Sequence, residues 1–89
     1  MEYLSKDLVI VNALGLHARS AAQLAKLAAK ANGTVWIEKE GEKVNASSLL
    51  EILTLACPKD TRIKISIEDQ RDVETLERMA ELVRNGFGE

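Results

Sequence analysis

Asn12-Ala-Leu-Gly-Leu-His-Ala-Arg-Ser-Ala-Ala22 marks the point at which a predicted strand gives way to a predicted helix. The only histidine of the chain, His17, lies two residues after Gly15 and two residues before Arg19. The first N–H groups of a helix have no partner inside the helix, and the helix dipole adds partial positive charge there. Such a helix start binds anions. The stretch therefore predicts an anion site in which His17 can hold a phosphoryl group, with Arg19 close enough to add charge and hydrogen-bond donors.

Histidine suits this chemistry because imidazole is largely neutral, and so nucleophilic, near pH 7. The N–P bond that it forms is labile, which favours transfer over storage. The ordinary alternative for a lone histidine after a strand is a surface or capping residue. A serine hydrolase would need a Gly-x-Ser-x-Gly elbow, which the sequence lacks. One histidine and one cysteine do not suffice for a structural zinc site, so we expect no metal.

Length and composition favour one small domain over residues 1–89 with an aliphatic core, because 46% of the residues are hydrophobic and only 3% are aromatic. The formal net charge is −2 and no basic block is present, so we expect no nucleic-acid binding. No apolar run reaches the roughly 18 residues of a membrane span, so we expect no membrane insertion. The start of the chain lacks the pattern of a signal peptide, and the single Cys57 cannot form an internal disulfide. These features favour a cytoplasmic protein.

Hydrophobic spacing predicts seven elements. The predicted strands span residues 6–11, 34–39, 43–46 and 62–68, and the predicted helices span residues 18–31, 48–55 and 69–84. Asn32-Gly33 is predicted to end the first helix, and Gly41 is predicted to form the tip of a hairpin. The strand over residues 62–68 alternates isoleucines with polar residues, so we expect a sheet covered on one side only. The order β-α-β-β-α-β-α therefore predicts an α+β fold with three helices on one face of a four-stranded sheet.

The last predicted helix carries three local signals. Asp69 is a plausible N-terminal cap, Asn85-Gly86 is predicted to end the helix, and Glu74 and Arg78 have the spacing of an (i, i+4) charge pair. The predicted apolar stripe consists of Val73, Leu76, Met79, Ala80 and Val83.

The second predicted helix is apolar nearly all round. Ser48-Leu-Leu-Glu51 fits the capping-box pattern, which gives Ser48 a structural role. A phosphate on a capping serine would also be stabilised by the helix dipole, so Ser48 is a candidate for regulatory phosphorylation. The leucines of this helix are either ordinary core residues or an exposed docking surface, and the pattern does not decide between the two.

Gly15-Leu-His-Ala-Arg19 followed by small residues resembles the active-site stretch of the HPr family, the histidine-containing phosphocarriers of the bacterial sugar phosphotransferase system. Ser48-Leu-Leu-Glu-Ile-Leu-Thr-Leu55 matches a second stretch of that family, so the resemblance covers nearly the whole chain. It implies an open-faced β-sandwich of four antiparallel strands under three helices. It also implies that His17 is the phosphorylated residue, Arg19 its charge partner and Ser48 the regulatory position. Partner contacts are expected at Leu49, Leu50, Leu53 and Ser20.

The sequence departs from the family at two of these places. Ser20 stands where the family usually has proline, and Glu51 stands where some relatives carry glycine or lysine. Proline has no N–H, and this costs nothing in the first turn of a helix because an N–H there has no partner within the helix. Serine keeps that N–H and adds a hydroxyl, so we expect a differently organised helix start. A negative charge at Glu51 should oppose phosphorylation of Ser48.

The resemblance implies a phosphocarrier without cofactor that accepts a phosphoryl group from Enzyme I, with phosphoenolpyruvate as the source, and passes it to IIA components of sugar permeases. It also implies a serine kinase and phosphatase and transcription regulators as further partners, and nothing in it demands more than a monomer. One alternative is a regulatory paralogue of the nitrogen or catabolite-repression type that acts through protein contacts. Another is a small-molecule-sensing α+β module without covalent chemistry, which would require a pocket.

Overall fold

The computed structural model describes residues 4–89 and has the predicted α+β order in that range. The strands are β1 (Leu4–Val9), β2 (Val35–Lys39), β3 (Glu42–Asn45) and β4 (Arg62–Ile67), and the helices are α1 (Ala18–Ala28), α2 (Leu49–Thr54) and α3 (Val73–Arg84). Short 3₁₀ turns occupy Gln70–Asp72 and Gly86–Gly88. Within residues 4–89, no helix is both long enough and apolar enough to cross a bilayer.

The described strands form an antiparallel sheet in the order β1-β4-β2-β3, as the predicted open-faced sandwich requires. Central strand β4 buries the predicted isoleucine face, with Ile65 opposite Lys6 on one side and Ile37 on the other. Ser66 was expected on the solvent-facing side but is buried, because Ser5 and Trp36 lie opposite it on the two flanking strands. The core between sheet and helices is aliphatic, as predicted.

The connection between β2 and β3 confirms the predicted hairpin. Lys39 pairs with Glu42, which leaves a two-residue turn. Glu40 has φ +50° and Gly41 has φ +84°, the two left-handed residues that match the twist of such a hairpin. β1 begins and ends two residues earlier than predicted, but Ile10 still donates its N–H to Thr61 O over 2.9 Å.

Helix α1 ends three residues before its predicted end at residue 31. Ala29 is its C-cap, and the next two N–H groups bond three residues back, so the helix tightens into a 3₁₀ turn. The predicted cap at Asn32-Gly33 is therefore wrong. The N–H groups of these two residues instead donate to the buried Asp72 carboxylate over 2.8 Å and 2.9 Å, which ties the end of α1 to the start of α3.

The last helix also starts later than predicted. Asp69 caps the 3₁₀ turn rather than α3, and its hydrogen bonds from Arg71 lower its pKa to about 2. Val73 was placed in the apolar stripe, but it is exposed because it is the first residue of α3. The Glu74–Arg78 pair is confirmed at 3.2 Å, and so is Asn85-Gly86 as the end of the helix. The remaining stripe residues Leu76, Met79, Ala80 and Val83 are buried as predicted.

Candidate functional site

His17 is the N-cap residue of α1. Its backbone is extended, and its Nδ1 accepts the main-chain N–H of Arg19 over 3.3 Å. The main-chain N–H of Ser20 also points at the His17 side chain. The imidazole is half-buried and lies over the positive end of the helix dipole. The Nδ1 edge of the ring therefore meets the helix-start donors that the sequence predicted.

The other ring nitrogen, Nε2, forms a hydrogen bond with the Glu89 carboxylate. Because Nδ1 accepts an N–H, its lone pair is directed toward the helix start. In the neutral ring the proton then resides on Nε2 and is donated to Glu89. Arg19 Nη2 lies 3.4 Å from the same carboxylate oxygen, while 68% of its side chain is exposed. The three side chains thus form one polar cluster at the helix start.

Glu89 is held in place by Asn12 and by the turn that precedes it. Asn12 Nδ2 donates to Glu89 Oε1 over 2.9 Å, and Phe87 is buried at φ +60° in the core. The hydrogen bonds from Asn12 and then from His17 hold the pKa of Glu89 below its usual range. The site therefore contains a carboxylate at neutral pH. Sequence reasoning gave no role to either Asn12 or Glu89.

Gly15 fixes the loop that leads into His17. It has φ +66°, and a Cβ added there would lie 2.4 Å from Cys57 O and 2.8 Å from Pro58 Cα. Its neighbour Leu16 donates its N–H to Cys57 O over 2.8 Å. The loop is thus pressed against the main chain of residues 57–58, a closeness that only glycine permits.

A direct partner contact was predicted for Ser20, but the structure contradicts this because the residue is completely buried. Its Oγ instead accepts the main-chain N–H of His17 over 3.0 Å. Together with the Ser20 N–H that points back at His17, this forms a capping box at the start of α1. Ser20 therefore takes part in the cap of α1, as the sequence allowed, but it does so from the first turn of the helix while His17 is the N-cap residue.

Ser48 caps α2 as predicted, and its Oγ accepts the Glu51 N–H over 3.2 Å. The reciprocal bond of the predicted capping box, from Ser48 N–H to the Glu51 carboxylate, is not formed. Glu51 Oε1 accepts the Asn45 N–H over 3.1 Å, while Ser48 N–H donates to Asn45 O over 3.1 Å. The end of β3 therefore takes the place of half of the capping box.

The leucines of α2 divide between core and surface. Leu50 is 75% exposed, whereas Leu49 and Leu53 are half-buried and pack against the core. Ile52 and Leu55 are fully buried. Both alternatives left open by the sequence thus apply to different faces of one short helix, and Leu50 is its exposed apolar residue.

Three further features bear on alternative functions. Among residues 4–89, no three His, Cys, Asp or Glu side chains cluster in a way that could bind a metal. A shallow groove of about 430 Å³ crosses the open face of the sheet, lined mainly by charged residues such as Asp7, Glu38, Arg62 and Lys64, and His17 is not part of it. Burial raises the pKa of the Cys57 thiol, so this residue is a poor nucleophile.

Comparison with known proteins agrees with this geometry. The model of the family "PTS HPr component phosphorylation site" matches residues 4–85. The phosphocarrier protein HPr of Neisseria meningitidis is 30% identical over 86 residues, 97% of each chain. The HPr-like protein Crh of Bacillus subtilis is 34% identical over 70 residues, 79% of this chain and 82% of Crh. The crystal structure of HPr-C-His from Thermoanaerobacter tengcongensis aligns with a TM-score of 0.91 at 34% identity, covering 97% of both chains. The chain therefore belongs to the HPr family of phosphocarriers of the phosphotransferase system.

Proposed function

We propose that His17 accepts a phosphoryl group from phosphorylated Enzyme I, with phosphoenolpyruvate as the source, and passes it to IIA components of sugar permeases. One observation carries the proposal. His17 Nδ1 faces the first N–H groups of α1, which have no partner within the helix, so a phosphoryl group attached to this nitrogen would lie next to these donors. Family membership supports the same role for the only histidine of the chain.

The chemical step follows from the tautomer of the neutral imidazole, in which Nε2 carries the proton and Nδ1 the lone pair. The Nδ1 lone pair gives up the hydrogen bond from Arg19 N–H and attacks phosphorus. An N–P bond forms, and the bond between phosphorus and the donor breaks with the electron pair left on the donor. Nε2 keeps its proton and donates it in a hydrogen bond to the Glu89 carboxylate. The N–H groups at the start of α1 donate hydrogen bonds to the phosphoryl oxygens, and the helix dipole stabilises the negative charge of these oxygens. Transfer to the next partner reverses these bonds.

Arg19 is the proposed charge partner. Its guanidinium lies 3.4 Å from Glu89, and most of its side chain is exposed, so it is free to turn from the carboxylate to the phosphoryl group. A phosphoryl group carries more negative charge than a carboxylate and accepts a bidentate pair of hydrogen bonds from arginine. We therefore assign Arg19 to stabilisation of the charge on phosphorylated His17.

Intact-mass spectrometry tests the proposed function. The protein is incubated with Enzyme I and phosphoenolpyruvate and then exposed to mild acid, in parallel with the His17→Ala variant. We expect one added phosphoryl group on the wild type, its loss in acid, and no addition to the variant. Addition to the variant would contradict the assignment of His17. No addition to the wild type would instead favour a small-molecule-sensing module.

The partner surface is proposed to centre on Leu50, with the half-buried Leu49 and Leu53 beside it. Ser48 is the proposed regulatory site for a serine kinase and phosphatase. Its Oγ lies at the start of the same helix, so an added phosphate would place negative charge next to Leu50. We expect Ser48→Asp to slow transfer to a IIA component while the thermal unfolding temperature stays close to that of the wild type. Unchanged transfer would contradict the regulatory role.

A regulatory paralogue is the second candidate function, and the similarity to Crh favours it. Crh, whose solution structure is known, is named the Bacillus subtilis catabolite repression HPr. In this case the exposed Leu50 would contact a transcription regulator. Transfer from phosphorylated protein to a IIA component separates the two functions, because a purely regulatory protein would not pass its phosphoryl group on.

A monomer is proposed, although one relative has been crystallised as an HPr dimer. Light scattering measures the oligomeric state directly.

A further inference from the structure

Ser20 makes more contacts with the phosphoryl site than its small side chain suggests. Its Oγ accepts His17 N–H over 3.0 Å and lies 3.2 Å from both Gly15 O and His17 O, to which it donates. Its own N–H points at the His17 side chain. The residue is completely buried. A single hydroxyl thus connects the loop before the histidine, the main chain of the histidine and the first turn of α1.

The hydroxyl has one proton, so it donates to one of the two carbonyl oxygens at a time and accepts from His17 N–H throughout. Gly15 O also accepts Asn12 Nδ2 over 2.8 Å and is therefore satisfied when the hydroxyl turns to His17 O. His17 N–H has no such second partner among the described hydrogen bonds. Removing the Ser20 hydroxyl would thus release the N-cap main chain more than the Gly15 loop.

We propose that Ser20 is a positioning residue for phosphoryl transfer, a role that rests on the proposed function of His17. It fixes the main chain of His17 so that Nδ1 lies over the helix donors before the phosphoryl group arrives. The phosphorylated state needs this alignment more than the free state, because the phosphoryl oxygens bond to N–H groups whose directions are set by the first turn. Without the hydroxyl, the main chain of His17 would have to be ordered when the phosphoryl group arrives, and the entropy cost of that ordering would disfavour the phosphorylated state.

An exchange equilibrium between two copies of the protein tests this inference. Phosphorylated wild type is mixed with unphosphorylated Ser20→Ala and a trace of Enzyme I, and both species are resolved by intact mass. We expect an equilibrium that favours phosphorylated wild type about threefold to tenfold, the effect of one hydrogen bond. A hydroxyl that only stabilises the fold would lower the unfolding temperature of Ser20→Ala but leave the exchange constant at one.

Ser66→Ala is the matched control, because Ser66 is also a buried serine but lies on β4. Its exchange constant with the wild type is expected to be one. An exchange constant of one for Ser20→Ala, or the same shift for both variants, would overturn the inference. If the wild type takes up no phosphoryl group, the proposed function itself fails, and this inference fails with it.

Discussion

Replacing Gly15 by alanine should disturb the proposed phosphoryl site through a contact with the neighbouring main chain. The added Cβ would lie 2.4 Å from Cys57 O and 2.8 Å from Pro58 Cα, closer than such atoms approach. Gly41 supplies a matched control. It also has a left-handed φ of +84°, but a Cβ there would meet no atom within 4 Å.

The two substitutions share one cost and differ in another. A non-glycine residue in the left-handed region costs about 1–2 kcal/mol, which applies to both. Overlap with atoms that cannot move away costs a further ~1–3 kcal/mol, which applies only to Gly15→Ala. We therefore expect a loss in unfolding free energy of about 2–5 kcal/mol for Gly15→Ala and about 1–2 kcal/mol for Gly41→Ala.

Urea denaturation measures these losses, and the rate of phosphorylation by Enzyme I measures the effect on the site. Moving the Gly15 loop would weaken the bond from Leu16 N–H to Cys57 O and shift His17. We expect phosphorylation of Gly15→Ala to slow by at least about tenfold, since small displacements of a reacting group have large effects. Phosphorylation of Gly41→Ala should be unchanged. Equal stability and equal rates for the two variants would refute the reasoning.

Three further predictions concern stability, charge and docking. Asp72→Asn should lower the unfolding free energy by about 2 kcal/mol at pH 7. Burial raises the pKa of Asp72, but its hydrogen bonds from Asn32 and Gly33 together lower the pKa by more. The stabilisation by the Asp72 carboxylate is therefore present at neutral pH and is lost as the pH falls through the lowered pKa. The difference in urea midpoint between wild type and Asp72→Asn should accordingly shrink below about pH 4. Arg19→Ala should leave stability unchanged within about 0.5 kcal/mol, because the guanidinium is mostly exposed, but should slow phosphorylation by about tenfold; an unchanged rate would contradict its assigned role. Leu50→Ala should weaken binding to Enzyme I, measured by titration calorimetry, without lowering the unfolding temperature, and equal affinity would exclude Leu50 from the docking surface.

The element order and the position of His17 could be predicted because both depend on local pattern. The isoleucine alternation of β4 and the small residues of α1 are periodic signals that tertiary contacts did not override. Gly15 has a left-handed backbone that glycine adopts readily, but the sequence does not reveal that this loop packs against the main chain of residues 57–58.

The contacts that complete the site depend on residues far apart in sequence. Glu89 reaches His17 from 72 residues away, and no local pattern connects the two. Asp72 draws the N–H groups of Asn32 and Gly33 away from the expected helix cap across 40 and 39 residues. The carboxylate of Glu51 pairs with Asn45 rather than Ser48 over a separation of only six residues, so a nearby donor can also displace a predicted cap contact. Competing polar partners, most of them distant in sequence, therefore account for the cap and site contacts that the sequence did not predict.

The most direct test of the central claim is to identify the ring nitrogen that bears the phosphoryl group. His17 is the only histidine, so every imidazole nitrogen signal of a protein labelled with ¹⁵N-histidine belongs to it. After phosphorylation by Enzyme I, we expect phosphorus coupling at Nδ1, while Nε2 keeps its proton beside Glu89. Coupling at Nε2, or a ring without phosphorus after the protein has gained a phosphoryl group, would contradict the account.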